Sequence, residues 1–417
     1  MRQLLAAVGS PHERLRVVHV AGTKGKGSTV AMLAEILTAA GHRVGRYSSP
    51  HVHRFEERIC VGGRPIGQRD LLAAFAVVVP AVEVLDRAAA ARSAPRPTWF
   101  EIVTTAAFVH FASADVDIVV LETGLGGRLD ATNVCRPLVS VITSVSLDHM
   151  ALLGPTVGRI AAEKAGIIKR GRPVISGALH PAARRVIADT AARRRAPLLQ
   201  LRRDFRVSWR PVDKADPLAG GCIEITPPRR LGGEVIRATL AMAGRHQADN
   251  AALAAVAALS LAAQGVRVPP GTIEHGLART RLPARIERVA EEPTVVVDAA
   301  HNVASMRSLL DTLAPLLERR RRRVLVFAAS GDKQVEQMLE VAAGRFDAVV
   351  VTRYTGSRRG AAVERLVEAC RLAGLPNAVV AATPRQALAR ARSHAGRRGL
   401  VCIAGSFFLA AELGLGR

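Results

Sequence analysis

Lysine is scarce in this sequence. Only six of its 59 basic residues are lysine, and the rest are arginine. Aromatic residues are equally thin, at 3%, which leaves little with which to stack nucleobases. The formal charge of +24 is therefore dispersed arginine, without the aromatic interleaving of a nucleic-acid surface. The densest run, "ERRRRRV" from Glu318 to Val324, lies between a helical pattern and a strand pattern, where arginines suit the C-terminal end of a helix dipole. The five cysteines, Cys60, Cys135, Cys222, Cys370 and Cys402, are too far apart for a zinc spacing or a disulfide framework. They read as buried, reduced thiols. No apolar run reaches the ~20 residues of a membrane span. The longest, "LLAAFAVVVPAVEVL" and "AALAAVAALSLAAQG", fall short, and Pro80 and Glu83 interrupt the first. The apolar stretch near Met1 is too short for a signal peptide. The expectation is a cytoplasmic protein with no nucleic-acid or membrane partner.

What is present is α/β alternation. At 417 residues and 49% hydrophobic content, the chain can bury the cores of two or three domains. "LRVVHVAG" reads as a buried strand, "STVAMLAEILTAAG" as a helix with Val30, Leu33, Ile36 and Leu37 on one face, and "HRVGRYSSP" as the next strand and turn. Strand, glycine loop, helix and strand make a βαβ unit and imply a parallel sheet. "VDIVVLE" and "LVSVITSV" add strands, and "TWFEIVTTAAFVHFA" reads as the helix before the first of them. "FRVSWRPVDKADPLAGGCIEITPP" suggests an antiparallel strand pair, and "HQADNAALAAVAALSLAAQG" an alanine-rich helix. "RLPARIERVAEEP" has no clear period and reads as an interdomain link. From Pro293 the alternation returns in "TVVVDAA", "VLVFAAS", "AVVVTR", "AVVAA" and "LVCIAGS", a second doubly wound domain.

The chemistry gathers at strand ends. "VAGTKGKGST" places Gly22, Thr23, Lys24, Gly25, Lys26, Gly27 and Ser28 between a strand and a helix. Such a loop aims backbone N–H groups and a helix dipole at an anion. Lys26 is placed to neutralise phosphate charge, and Ser28 to reach a metal ion. Gly27 separates that lysine from Ser28, so the loop is not the usual P-loop spelling. In "SSPHVHRFEERI", Ser48 and Ser49 follow the next strand. In "LETGLGGRLDATN", Glu122 ends an apolar strand ahead of Arg128 and Asp130, the usual place for a magnesium ligand. Asp148 and His149 of "TSVSLDHMALLG" follow a third strand; a lone histidine is usually structural, and composition leaves that reading and a metal or phosphate role both open. Lys164 of "AAEKAGIIK" has apolar neighbours. A partly buried lysine with a lowered pKa can react with carbon dioxide to give an anionic carbamate. "VVVDAAHN" opens the second domain with Asp298 at a strand end and His301 at a helix start.

Together, "VAGTKGKGST", "SSPHVHRFEERI", "PTWFEIVTTAAFVHFA", "ETGLGGRLDATN", "LDHMALLG", "EKAGIIK", "GRHQADNAALA", "PARIERV" and "VVVDAAHN" resemble, in order, the dihydrofolate synthase/folylpolyglutamate synthase family of the Mur ligase superfamily. The resemblance implies a P-loop-containing Mur-ligase-type ATPase domain with a parallel sheet over residues 1–288 and a smaller Rossmann-like α/β domain over 289–417. It implies an ATP-dependent ligase that adds L-glutamate to dihydropteroate or a folate. Gly25, Lys26, Gly27 and Ser28, with Gly22, Thr23 and Lys24, would hold the ATP phosphates. Asn250, Arg285 and Asp298 would complete the nucleotide site. Ser49, Glu122 and His149 would bind Mg2+, and Lys164 would be carbamylated. Phe100, Glu101, Leu129, Asp130 and Ala131 would face the pterin-bearing substrate. Lys26, Lys164, His149 and His301 are the catalytic candidates. His301 and Lys333 are candidates to receive glutamate's carboxylates, and Arg128 a phosphate or substrate carboxylate. The enzyme would act as a monomer on small molecules. Two features depart from the family pattern: Lys24 stands where asparagine is usual, and only a short segment precedes the phosphate loop. Another Mur-type amino-acid ligase is the alternative, and a basic nucleotide-dependent nucleic-acid-binding protein a more distant one.

Overall fold

The computed structural model describes residues 1–91, 93–357, 359–375 and 378–415. By its contacts the chain divides into two units, Met1–Ser208 with Glu224–Ala238 and Ala248–Thr280, and Trp209–Ile223 with Thr239–Gln247 and Arg281–Arg417.

The first unit is built on eight strands: β1 (Val17–Ala21), β2 (Val44–Tyr47), β3 (Ile59–Val61), β4 (Arg64–Pro65), β5 (Ile118–Glu122), β6 (Val139–Ile142), β7 (Val174–Ser176) and β8 (Leu198–Gln200). Their order is β4-β3-β2-β5-β1-β6-β7-β8. The run from β2 to β8 is parallel, and β3 and β4 add an antiparallel edge. Central β1 is buried at every residue, as expected for a parallel strand covered on both faces. Its neighbours are β5 and β6. The Thr123 N–H bonds the Val20 carbonyl, and the Thr143 N–H bonds the Ala21 carbonyl. The chain leaving all three strands therefore emerges side by side, at the edge where open α/β sheets bind ligands.

The helix after β1 runs Lys26–Ala39 and buries Val30, Leu33, Ile36 and Leu37, the expected face. The Thr272–Arg279 helix packs on it so closely that a Cβ added at Gly276 would sit 2.5 Å from the Ile36 backbone N and Cα. The "LLAAFAVVVPAVEVL" run lies within a single helix, Gln68–Ala91, that continues through Pro80.

Three short strands, β9 (Arg206–Pro211), β10 (Gly221–Thr226) and β11 (Ile236–Leu240), form a small sheet in the order β11-β10-β9. The second unit holds β12 (Glu287–Glu291), β13 (Thr294–Val297), β14 (Arg323–Phe327), β15 (Ala348–Val351), β16 (Ala378–Val380) and β17 (Leu400–Ala404). Their order is β12-β13-β17-β14-β15-β16, parallel except for β12 against β13. The five strands expected after Pro293 are all present. Strand β12 was not legible, because it lies inside "RLPARIERVAEEP", the segment read as a link. It is an edge strand with most residues half-exposed, so charge interrupts the apolar run that marks its neighbours. Against this sheet the Val303–Arg319 helix buries Met306, Leu309, Leu310, Leu313, Leu316 and Leu317, the spacing of one helical face. The arginine run begins at the last residue of that helix and ends on β14, where Arg323 Nη2 meets Asp347 Oδ1 at 2.5 Å.

The five cysteines are free thiols, and four of them are buried. Among the described residues no helix is long and apolar enough to cross a membrane. The Gly276 contact gives a direct test of packing. Gly276→Ala must push two backbones apart and should lower unfolding stability by about 1–3 kcal/mol in urea denaturation. Unchanged stability would contradict the close helix approach.

Candidate nucleotide and ligase site

The loop after β1 is held in shape by the loop after β6. The Thr23 N–H donates to the Ser144 carbonyl at 2.7 Å, and the Lys24 N–H to Ser144 Oγ at 3.0 Å. Thr143 Oγ1 donates to the Lys24 carbonyl at 2.6 Å, and Thr23 Oγ1 to the Ser146 carbonyl at 3.2 Å. Two glycines are required sterically. A Cβ at Gly22 would collide with Thr143 Oγ1, and one at Gly25 with the Asn250 side chain. Gly25 also sits at φ +81°, immediately before the helix, a region that favours glycine. Asn250, far along the chain, is thus brought against the phosphate loop. The bonds to the loop after β6 pin the phosphate loop through Thr23, Lys24 and Thr143, and the first amides of a helix are suited to an anion.

The charged groups follow from the same edge. Lys26 begins the helix, and its Nζ lies 3.9 Å from Glu122 Oε1 at the end of β5. The Ser49 N–H donates to Glu122 Oε2 at 3.2 Å, which brings two of the three expected metal ligands together. Glu122 is only 3% exposed, so its charge needs a cation nearby. His149, the third, is tied in through Asp148. Its N–H donates to Asp148 Oδ1 at 3.0 Å, and Asp148 Oδ2 accepts from Lys24 Nζ at 3.2 Å. His149 itself stands at φ +50°.

Lys164 is buried, and its Nζ donates to the Gly22 carbonyl at 2.9 Å. Burial, and then the positive charges of Lys26 and Lys24, pull its pKa down to about 7 against the attraction of Asp148. Three of the six lysines therefore converge around one loop.

The substrate-facing candidates divide. A Cβ at Gly124 would strike the Phe100 ring, so that ring packs under the loop after β5. Leu129 is 79% exposed, and Ala131 is buried. The Asp130 carboxylate accepts from the Leu125 N–H, the Thr132 N–H and the Thr132 hydroxyl, while burial raises its pKa above the ordinary value. Glu101 is engaged by the capping box with Thr98 and by the Met1 amino group, 2.6 Å from Oε1. Arg128 is engaged by Glu163, at 2.9 and 3.0 Å.

The second unit holds its own group. The Asp298 carboxylate at the end of β13 accepts the Ile286 N–H at 2.8 Å. Arg285 lies over the Phe407 ring at 4.8 Å, and the His301 ring lies 5.7 Å from the same ring. His301 Nδ1 lies 2.8 Å from the Ala299 carbonyl. Lys333 Nζ is 3.6 Å from Asp332.

Sequence reasoning missed Thr143, Ser144 and Ser146, which brace the phosphate loop. Their signal was the cluster of hydroxyls in "TSVS" directly after a buried strand.

Two family models match the chain: the Mur ligase middle domain over residues 87–258 and the Mur ligase, glutamate ligase domain over 284–407. With the strand-edge phosphate loop, they define an ATP-dependent ligase of the Mur type. The dihydrofolate synthase/folylpolyglutamate synthase of Bacillus subtilis is 41% identical, aligned over 82% of this chain and 77% of its own length. The enzyme of that name from Mycobacterium tuberculosis is 37% identical, over 87% and 75%. The crystal structure of the M. tuberculosis folylpolyglutamate synthase complexed with ADP and AMPPCP superposes with a TM-score of 0.91 at 34% identity, covering 100% of this chain and 94% of that one. E. coli FolC in complex with DHPP and ADP superposes with a TM-score of 0.84 at 32% identity, over 99% and 91%. This chain belongs to the dihydrofolate synthase/folylpolyglutamate synthase family.

Two measurements test the site as built. Gly25→Ala puts a methyl group into Asn250 and a side chain at φ +81°; affinity for a non-hydrolysable ATP analogue should fall about tenfold or more by calorimetry. Wild-type affinity would refute the tight cradle. Lys164 has a folded pKa of about 7 and an ordinary value of 10.5. Between those pH values the unfolded chain holds a proton that the folded chain lacks, so this lysine makes stability rise with pH across that window. In carbon-dioxide-free buffer, Lys164→Met should remove that rise. Parallel stability–pH curves for the two proteins would contradict it.

Proposed function

We propose that this enzyme joins the α-amine of L-glutamate to the carboxylate of dihydropteroate, of a folate, or of both, through an acyl phosphate. The observation that carries the reading is the edge formed by β5, β1 and β6. There a glycine cradle, Lys26, buried Glu122 and the buried Lys164 surround one anion-binding loop. The names of the relatives support the substrate class.

A carboxylate is a poor electrophile. In the proposed reaction one of its oxygens attacks the γ-phosphorus of ATP, and the bond to ADP breaks. The neutral amine of glutamate then attacks the acyl carbon, phosphate leaves, and the amine sheds its proton as the amide forms. Lys26 and the amides of Gly25, Gly27 and Ser28 hold the phosphates and offset their charge in the transfer. Asn250, Arg285 and Asp298 are assigned to the nucleotide, with Gly22, Thr23 and Lys24 shaping the loop. Phe100, Glu101, Leu129, Asp130 and Ala131 are assigned to the pterin acid. His301 and Lys333 are assigned to the glutamate carboxylates.

Mg2+ is proposed at Ser49, Glu122 and His149. The donors fit: the Ser49 N–H bond to the buried Glu122 carboxylate sets the serine beside it, and Mg2+ takes much of its shell from phosphate oxygens and water. When bound, the ion supplies positive charge to the phosphates. We assign Lys164 as the carbamylated lysine. Its lowered pKa leaves a neutral amine that adds to carbon dioxide, releasing a proton. The enzyme is further proposed to act as a monomer in the cytoplasm.

The test is mass spectrometry of products from dihydropteroate and from tetrahydrofolate, each with ATP, Mg2+ and L-glutamate. The proposal expects at least one product heavier by a single glutamyl residue, formed with stoichiometric ADP. Absence of glutamylated product from every pteroate tried would overturn it in favour of another Mur-type substrate.

A further inference from the structure

The mechanism gives no role to the histidine buried in the central strand. His19 lies in the middle of β1, fully buried, opposite Leu121 of β5 and Ser140 of β6. An imidazole in the central strand of a parallel sheet is costly unless its hydrogen bonding is directed.

Its one hydrogen bond among the described residues leads out of the core. His19 Nε2 lies 2.8 Å from Thr132 Oγ1, and Thr132 is also fully buried. Thr132 Oγ1 in turn lies 2.5 Å from Asp130 Oδ1. The direction of this chain can be worked out. Asp130 Oδ1 already accepts the Thr132 N–H, and Oδ2 accepts the Leu125 N–H, so the carboxylate is the acceptor. The single hydroxyl proton of Thr132 therefore goes to Asp130. The imidazole must then be the donor to Thr132 Oγ1, with its proton on Nε2. Nδ1 is left as a bare lone pair, in keeping with its lack of a partner among the described residues. Burial and the nearby Lys169 pull the His19 pKa down to about 3, so the ring stays neutral.

We infer that His19 and Thr132 are positioning residues that hold the Asp130 carboxylate in place for the acid substrate. The inference rests on reading Asp130 as part of the pterin-acid site. The relay His19–Thr132–Asp130 starts from the same strand that ends in the phosphate loop. Three residues beyond His19, Gly22 begins the ATP cradle. One strand thus sets the position of the nucleotide loop through its end and of the substrate loop through its middle.

The experiment is steady-state kinetics on Thr132→Val, Thr132→Ser, His19→Leu, His19→Gln and Asp130→Asn. Thr132→Val and His19→Leu each remove one link without adding charge. They should raise KM for the pterin acid about tenfold while kcat and KM for ATP stay within about twofold. Thr132→Ser and His19→Gln keep a hydroxyl and an N–H donor, and should restore most of the loss. Should His19→Leu fold poorly, Thr132→Val, a near-isosteric change, still decides the matter. If Asp130→Asn raises that KM and Thr132→Val does not, the relay is wrong and the reading of Asp130 stands. If Asp130→Asn leaves it unchanged, the substrate-loop reading itself fails, and the relay with it. A long-range 1H–15N spectrum of histidine-labelled wild type should show His19 protonated at Nε2. The Nδ1-protonated tautomer would overturn the inference.

Discussion

The site depends on three neighbouring parallel strands, β5, β1 and β6, ending at one sheet edge. Their parallel pairing sets Glu122, the glycine loop and the "TSVSLDH" segment beside one another. None of these groups would meet otherwise, since they lie far apart in sequence. The backbone bonds from Thr123 to Val20 and from Thr143 to Ala21 carry that alignment past the strand ends. Thr143 then fills the space that any side chain at Gly22 would need. The geometry of the loop is thus a property of the sheet, and the glycines are what allow the backbones to meet there.

Electrostatics follows from that packing. Lys24, Lys26 and Lys164 are crowded around one turn, where Asp148 pairs with Lys24 and Glu122 with Lys26. Such a cluster of cations is unfavourable without an anion, which makes it well suited to a polyphosphate. Lys164 resolves its share of the conflict by sitting in the interior with a lowered pKa and donating to a backbone carbonyl. Lys24, at the position where the resemblance led one to expect asparagine, braces the His149 turn through Asp148. The departure thus has a defined partner in this chain.

Much of this was legible in the sequence, for physical reasons. Parallel strands covered on both faces are near-continuous apolar runs, so "LRVVHVAG", "VDIVVLE" and the five strands after Pro293 stood out. Polar residues directly after such runs pointed to the ligand edge. What escaped notice lacked those signals. Strand β12 is an edge strand whose charges break its pattern. Thr143 and Ser144 act through hydroxyls and backbone, which ordinary loop residues also offer. His19 was hidden inside an apolar run, and only the fold reveals that its ring reaches Thr132. Arg128 and Glu101 read as ligand contacts in sequence, and what the sequence did not show is their partners within the chain, Glu163 for Arg128 and Thr98 with the Met1 amino group for Glu101.

The central claim is that a substrate carboxylate is activated by the phosphate held in this loop. It is tested most directly by isotope transfer. Pterin acid labelled with 18O in its carboxylate is turned over with ATP and glutamate, and the released inorganic phosphate is analysed by 31P NMR. An acyl phosphate requires one labelled oxygen per phosphate released. Unlabelled phosphate accompanying amide formation would contradict the account.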